Sequence, residues 1–297
     1  MITRFAPSPT GPLHLGHAWS AWTAYDLAHS QTGRFLLRIE DIDRARSKPV
    51  WERELLQDLE WLGLRWHGEP VRQSSRMADY GDALDRLWDR GLLYPCTCTR
   101  RDIAAALSAP QEGDTPHGPD GPVYPGTCRP SGGPPSGRRP SGVHLRLNMR
   151  AAVDVLRRAG LGDGLSFEDT GPVAPGKTRT FWQAFVERIG DIVLARKDFG
   201  TSYHLSVVLD DAAQGVTTVV RGADLIEATP IHVLLQHLLG LPEPAYHHHA
   251  LVRDGAGKRL AKRDDARSIA SYRQAGWTPE SLRAHLNKDL TAPETAP

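Results

Sequence analysis

Three cysteines in 297 residues are too few for a disulfide framework. The chain has no run of 18 apolar residues, so no membrane-spanning helix is expected. It lacks an excess of either charge, with 36 Lys and Arg against 35 Asp and Glu. A polycation that coats nucleic acid with its whole surface is thereby excluded, although a local basic patch is not. No signal peptide is visible at Met1-Ile2-Thr3-Arg4-Phe5, so the expected compartment is the cytoplasm. No internal repeat is visible either. What is present, 40% hydrophobic and 24% charged residues, suits an ordinary globular chain with a sizeable core.

The chain opens as strand, loop and helix. Ile2 to Phe5 is β-like, and Ala6 to Pro12 (APSPTGP) is a turn-rich loop. From His14 the spacing of Leu15, Trp19, Trp22 and Leu27 predicts a helix that ends near Gly33. Phe35 to Ile39 then reads as a buried strand, which completes a βαβ unit and implies a parallel sheet. Helical patterns follow at 49–63 and 76–91. Between Ser108 and Gly142, nine prolines and eight glycines fall in 35 residues, which forbids long helices and central strands. Beyond Val143 periodicity resumes. Ile192–Ala195, Leu205–Leu209 and Thr217–Val220 are strand-like, a helix is expected over 230–239, and 264–297 suits short helices and a loose tail.

His14-Leu15-Gly16-His17 is the sharpest motif. Two imidazoles three apart share one helical face, the glycine between them admits a bulky ligand, and the helix start favours anions. The combination reads as a phosphate site. Gly257-Lys258-Arg259-Leu260-Ala261-Lys262-Arg263 is a second, basic motif late in the chain, where ligand loops of doubly wound sheets sit. Taken alone, such a run is more often a solvated loop.

Together the two motifs resemble the paired signatures of class I aminoacyl-tRNA synthetases. The resemblance implies that His14, Gly16, His17, Arg259 and Lys262 contact ATP, with His14, His17 and Lys262 catalytic. Arg259 and Ala261 depart from the usual lysine and serine of the late signature. RFAPSPTGPLHLGH and LRIEDID (37–43) are similar to the glutamyl and glutaminyl branch of that class. A free glutamate needs cations for its carboxylates and an anion for its ammonium. The resemblance assigns Arg4, Phe5, Ala6, Pro7 and Ser8 to the glutamate site, with Arg4 on the side-chain carboxylate and Glu40 on the ammonium. It adds Tyr203 and Arg221, the latter a charge at the end of an apolar strand where burial needs a partner. Asp224 is a weaker candidate toward the nucleotide. A metal clip at Glu40-Asp41-Asp43 and a metal site at His247-His248-His249 are less favoured than plain turn and strand roles.

Cys96, Cys98 and Cys128 offer three soft ligands that favour a structural zinc. Ligand chemistry points to His117 as the fourth. A Cys-x-Cys…Tyr-x3-Cys pattern in one small synthetase-like subfamily points instead to Tyr124, which we adopt. The expected fold is α/β, a Rossmann-like doubly wound, mostly parallel sheet interrupted by a zinc-containing insertion. The expected division is 1–92 and 191–263 for the catalytic halves, 93–190 for the insertion, and 264–297 for a short helical C-terminal segment. Only 34 residues follow Arg263, so no anticodon-binding domain is expected.

That shortness and the cysteine pattern resemble the glutamyl-queuosine tRNA(Asp) synthetase family. The implied activity is ATP- and Mg²⁺-dependent activation of L-glutamate and its transfer to queuosine in tRNA(Asp), by a monomer. Residues 100–158 hold nine Arg against five acidic residues, a modest excess compatible with RNA. A truncated glutamyl-tRNA synthetase charging a 3′ end and an inactive zinc-stapled RNA-binding paralogue are the alternatives.

Overall fold

The computed structural model describes residues 1–107, 117–253 and 267–291. Strand β1 (Ile2–Phe5), helix α1 (Leu15–Ser30) and strand β2 (Arg34–Ile39) form the expected parallel βαβ unit. Its return turn is tight. Gly33 N–H donates to Ala28 O at 2.8 Å, and a Cβ at Gly33 would lie 2.1 Å from Met1 O, so only glycine fits. Helix α2 (Pro49–Trp61) begins on a proline, where the missing N–H costs nothing. Strand β3 (Val71–Arg72) extends the parallel pairing of β2, and helix α3 (Met77–Asp89) follows.

The middle of the chain is less regular. Strand β4 (Leu93–Cys96) leads to helix α4 (Arg100–Leu107) and to the two-residue strands β5 (His117–Gly118) and β6 (Gly121–Pro122). That short hairpin is the only strand pairing among the described residues of 108–142, as the proline and glycine content requires. Strand β7 (His144–Leu147) pairs antiparallel with β4, and helix α5 (Met149–Arg158) caps it.

The second half supplies strands β8 (Gly164–Asp169) and β9 (Gly176–Phe181), the single turn α6 (Trp182–Ala184) and strand β10 (Val193–Ala195) beside β7. Helix α7 (Tyr203–Ala213), strand β11 (Thr218–Gly222), helix α8 (Thr229–Leu239) and strand β12 (Ala245–His249) follow. Helices α9 (Ile269–Gln274) and α10 (Pro279–Thr291) close the chain. Strands β11, β12 and β8 are parallel, with β9 antiparallel at the edge. Thr217 N–H donates to Ile2 O at 2.9 Å, which sets the start of β11 beside β1. The α/β architecture with parallel strand pairing is therefore the one expected, although β4, β7 and β10 form a separate antiparallel sheet and half of the pairings among the described residues are antiparallel. No described helix is long and apolar enough to cross a membrane.

One element differs from expectation. Leu205–Leu209 lies inside α7 rather than in a strand, with the Ser202 side chain capping the helix start. Every residue from His204 to Asp211 is buried, so the segment has no polar face to mark a helical period. A short apolar run of this kind reads the same as a buried strand.

The core forms two large clusters. One joins α3, α5, α7 and α8 to β4, β7, β8 and β10. The other packs α1 and α2 on β1 and β2 and takes in Ile269, Leu282 and Leu286 from the C-terminal helices. Ile269 N–H donates to Leu13 O at 2.9 Å, and Ser268 bridges His14. The chain thus returns beside the His14 motif directly after residues 254–266. The late basic motif, with Arg259 and Lys262, lies outside the described residues.

Candidate active site

A cavity of about 550 Å³ opens where the parallel strands β1, β2 and β11 end. This is the side on which doubly wound sheets hold ligands. It is lined by Arg4, the Phe5–Ser8 segment, His17, Glu40, Tyr203 and Arg221. Nine of the residues singled out from the sequence are thus brought together, from positions more than 200 apart. His14 and Gly16, at the start of α1, and Asp224 are not part of the lining.

Arg4 and Arg221, the two buried cations of the cavity, are each held from behind by buried partners. Arg4 donates from Nε to Asp211 Oδ1 at 2.9 Å, from Nη2 to Asp211 Oδ2 at 3.3 Å and from Nη1 to Val220 O at 3.2 Å. Arg38 donates to the same Asp211 Oδ1 at 2.7 Å. Burial pushes the Asp211 carboxyl up, but Arg38 and Arg4 outweigh it and hold it at about 2. Arg221 donates to His248 Nε2 at 3.1 Å, His232 Nδ1 at 3.0 Å and Thr229 Oγ1 at 2.7 Å. His248 in turn pairs with Asp169, both fully buried. Gly171 allows this packing, since a Cβ there would lie 2.3 Å from His248 O. The strand-end arginine therefore has the partner its burial demands.

Two acids line the cavity, Asp43, which is paired with Arg46, and Glu40. Its N–H donates to Pro7 O at 3.0 Å, which ties the end of β2 to the loop after β1. Burial pushes its carboxyl up to about 7, while Arg38 and Arg4 pull the other way. Its neighbours Asp41 and Asp43 bond instead to Ser74 and Arg46, so the three acids do not converge on a metal position. Tyr203 stands on the first turn of α7 rather than ahead of a strand.

The two histidines of the early motif cap α1 reciprocally. Gly16 N–H donates to His14 Nδ1 and His14 N–H donates to His17 Nδ1, both at 3.1 Å. Each neutral ring must then carry its proton on Nε2. The helix start thus presents two pre-set imidazole donors, suited to an anion.

Cys96, Cys98 and Cys128 bring their sulfurs within 4.8 Å of one another. Tetrahedral ligation of zinc at about 2.3 Å sets sulfurs about 3.8 Å apart, so the donor set fits such an ion. Tyr124 Oη lies 3.4 Å from both Cys96 Sγ and Cys98 Sγ, whereas His117 is outside the group. Arg146 stacks its guanidinium 3.7 Å from the Tyr124 ring centroid and donates to Cys96 Sγ at 3.3 Å, which favours thiolate. A hydrogen bond with Tyr124, opposed by burial, brings the Cys128 thiol down to about 6. His247–His249 form the end of β12, and among the described residues the three cysteines are the only group suited to a metal.

Compared with known families, residues 1–119 and 180–295 match the catalytic domain of tRNA synthetases class I (E and Q). The chain belongs to this family. The glutamyl-Q tRNA(Asp) synthetase of Rhodobacter capsulatus is 60% identical over 283 residues, covering 95% of this chain and 98% of that one. Its counterpart in Nocardia farcinica is 43% identical over 295 residues, covering 99% of this chain and 86% of that one. Among solved structures, the glutamate tRNA ligase of Elizabethkingia meningosepticum, in complex with its amino acid, superposes with a TM-score of 0.72 at 26% identity. The alignment covers 96% of this chain and 60% of that one, so this synthetase spans about 60% of that ligase's length.

Tyr124 and Cys128 of the synthetase fall in the stretch 120–179 that the family match leaves out. Sequence reasoning missed Asp210 and Asp211, which anchor the site from α7. Two adjacent carboxylates inside an otherwise apolar buried run were the available signal, because buried acids are rare unless paired. His204, His232, His248 and Asp169 were missed as well, since nothing in their spacing links them.

Proposed function

We propose that this synthetase activates L-glutamate with ATP and transfers the glutamyl group to the queuosine base of tRNA(Asp). Near full-length identity of 60% to a glutamyl-Q tRNA(Asp) synthetase carries the acceptor. The convergence of Arg4, Glu40, Tyr203 and Arg221 on one cavity supports the amino acid. In this reading Arg4 meets the side-chain carboxylate and Glu40 the α-ammonium, while Tyr203, Arg221 and the Phe5–Ser8 segment complete the pocket.

In the first step an α-carboxylate oxygen attacks the α-phosphorus of ATP. The bond to the bridging oxygen breaks, and pyrophosphate leaves with the electron pair. His14 and His17 donate from Nε2 to the phosphates as charge builds, and Lys262 and Arg259 of the late motif act on the leaving group. Mg²⁺ accompanies ATP. In the second step a hydroxyl of the queuosine cyclopentenediol attacks the acyl carbon, AMP leaves, and the hydroxyl proton is released. Catalysis is positioning and electrostatics.

The proposed division of labour is 1–92 and 191–263 for activation, 93–190 for a zinc-bearing insertion and 264–297 for a helical end that packs on α1. Zinc, held by Cys96, Cys98, Tyr124 and Cys128, would be structural and take no part in either step. Purified protein is expected to carry one zinc per chain. Cys128→Ser should lose most of it, with a lower Tm, as read by elemental mass spectrometry and calorimetry. Metal-free wild-type protein with an unchanged Tm would count against the site.

Glu40 gives a pH dependence. Its carboxyl is raised to about 7, so below that pH it is protonated and cannot pair with the ammonium. Glutamate kcat/KM should therefore fall about tenfold per unit below pH 7 and level off above it, reporting the free enzyme. The linkage sign is opposite: a raised carboxyl pKa contributes stability below about 4.5, lost as pH rises through about 7. The site binds best where Glu40 stabilises least.

The reading is tested with labelled glutamate, ATP and Mg²⁺, offered tRNA(Asp) with and without queuosine and tRNA(Glu). Label confined to queuosine-bearing tRNA(Asp) is expected. Label on tRNA(Glu) would make the protein a short conventional glutamyl-tRNA synthetase.

A further inference from the structure

A second cavity of about 660 Å³ lies beside the first and shares Arg196, Ser202 and Tyr203 with it. Its far wall comes from the β5–β6 hairpin, helix α4, Cys98 and Tyr124. Asp120, in the turn of that hairpin, is exposed and lines this cavity. The first cavity does not include it.

Asp120 is joined to the first cavity by a directed chain of hydrogen bonds. Arg221 can only donate, so His232 Nδ1, 3.0 Å from Arg221 Nη1, must accept. Burial and the Arg221 charge keep His232 neutral, so its proton sits on Nε2. That proton is donated to His204 Nδ1 at 3.0 Å. His204 must then carry its own proton on Nε2, which lies 3.0 and 3.1 Å from the two oxygens of Asp120. Along this branch the donors of Arg221, His232 and His204 all point toward Asp120, which only accepts. The other branch from Arg221, through His248, ends on Asp169, which is sealed in the core. One branch thus ends on a buried counter-charge and the other on a carboxylate in open cavity.

The carboxylate accepts one N–H from His204 and has lone pairs to spare. It faces a cavity rimmed by the exposed cations Arg100 and Arg196, which suit the phosphates of an RNA strand. Asp120 also lies in the stretch that the general family match leaves out. We propose that this second cavity receives the hydroxylated acceptor base, and that Asp120 accepts the hydrogen bonds of its hydroxyls beside the activated glutamate. The proposal rests on the functional reading above. The Arg221–His232–His204 chain fixes the Asp120 carboxylate relative to the glutamate pocket, so donor and acceptor are held by one network.

Asp120→Asn keeps the size of the side chain and an oxygen for His204 but removes the charge. Two rates are read on the same preparation: glutamate-dependent pyrophosphate exchange, and single-turnover transfer from preformed glutamyl-adenylate to queuosine-bearing tRNA(Asp). The ratio of transfer to exchange is expected to fall about 10- to 100-fold, the scale of losing a hydrogen bond to a charged group. A ratio within twofold of wild type overturns the proposal, whether both rates hold or both drop, since a hairpin clamp alone would move them together. Asp120→Glu, which restores the charge one carbon further out, should recover part of the ratio. The functional reading fails separately: wild-type protein that labels no queuosine-bearing tRNA removes that reading and this inference with it. Wild-type transfer with an unchanged Asp120→Asn ratio removes the inference alone.

Discussion

Asp211→Asn is expected to destabilise the protein by about 3–5 kcal/mol, the scale of breaking a buried ion pair by removing one partner. Asp211 is 5% exposed and is shared by Arg4 and Arg38, themselves 5% and 0% exposed. Removing its charge leaves Arg38 a neutral partner in Gln214 Oε1 at 3.0 Å and only longer ionic contacts, 3.5 Å to Glu40 and 3.8 Å to Asp210, and leaves Arg4 without its carboxylate. The sign of the pH dependence follows from a depressed pKa. The Asp211 contribution is present above about 3.8 and lost as pH falls through about 2. The wild-type and variant urea midpoints should therefore differ fully at pH 7 and converge in acid, at an unchanged m value. A second effect separates this role from simple packing. Asp211 is one of the charges that raise the Glu40 carboxyl, after burial itself. In the variant the acid limb of glutamate kcat/KM should move to lower pH. Equal midpoints at pH 7 would mean that the two arginines are not held by this carboxylate.

His14→Ala is expected to slow glutamyl-adenylate formation about 10²-fold, the loss of one pre-set donor to a transition-state anion. Glutamate KM should change little, because His14 stands outside the lining of the glutamate cavity. The residue also caps α1, and a lost cap costs about 1 kcal/mol of stability. His14→Ser separates the two roles. Serine restores a capping oxygen but has no group that reaches the phosphates, so it should recover the Tm and not the rate. Rapid-quench measurement of adenylate formation reads the chemical step directly. A serine variant at full rate would reduce His14 to a structural cap.

The parts of the site legible in the sequence were those carried by local pattern. A strand, a Gly/Pro loop and a helix start suffice to place Arg4, Glu40 and the two histidines at strand and helix ends. Arg221 was legible as an anomaly, a charge where an apolar strand ends. The supporting shell was not legible, for a physical reason. His204, His232, His248 and Asp169 lie on four different elements, α7, α8, β12 and β8, and it takes both the parallel pairing of β11, β12 and β8 and the packing of α7 on α8 to gather them. The helix around Leu205–Leu209 failed for the same cause: burial on all sides erases the alternation that distinguishes secondary structures. Once α7 is a helix, Tyr203 and His204 at its start and Asp210 and Asp211 toward its end serve both cavities and the arginine anchors. The cysteine cluster was legible as three soft ligands, and the resemblance already points to Tyr124 over His117; the structure sets the Tyr124 hydroxyl against two of the sulfurs.

Glutamate-dependent exchange of labelled pyrophosphate into ATP, with no RNA present, tests the central claim most directly. A pocket built from Arg4, Glu40, Tyr203 and Arg221 beside a His14–His17 phosphate site should support exchange with glutamate and Mg²⁺. Glutamine, which lacks the second carboxylate, should support far less. No exchange with glutamate, or equal exchange with glutamine, would contradict the assignment of the cavity.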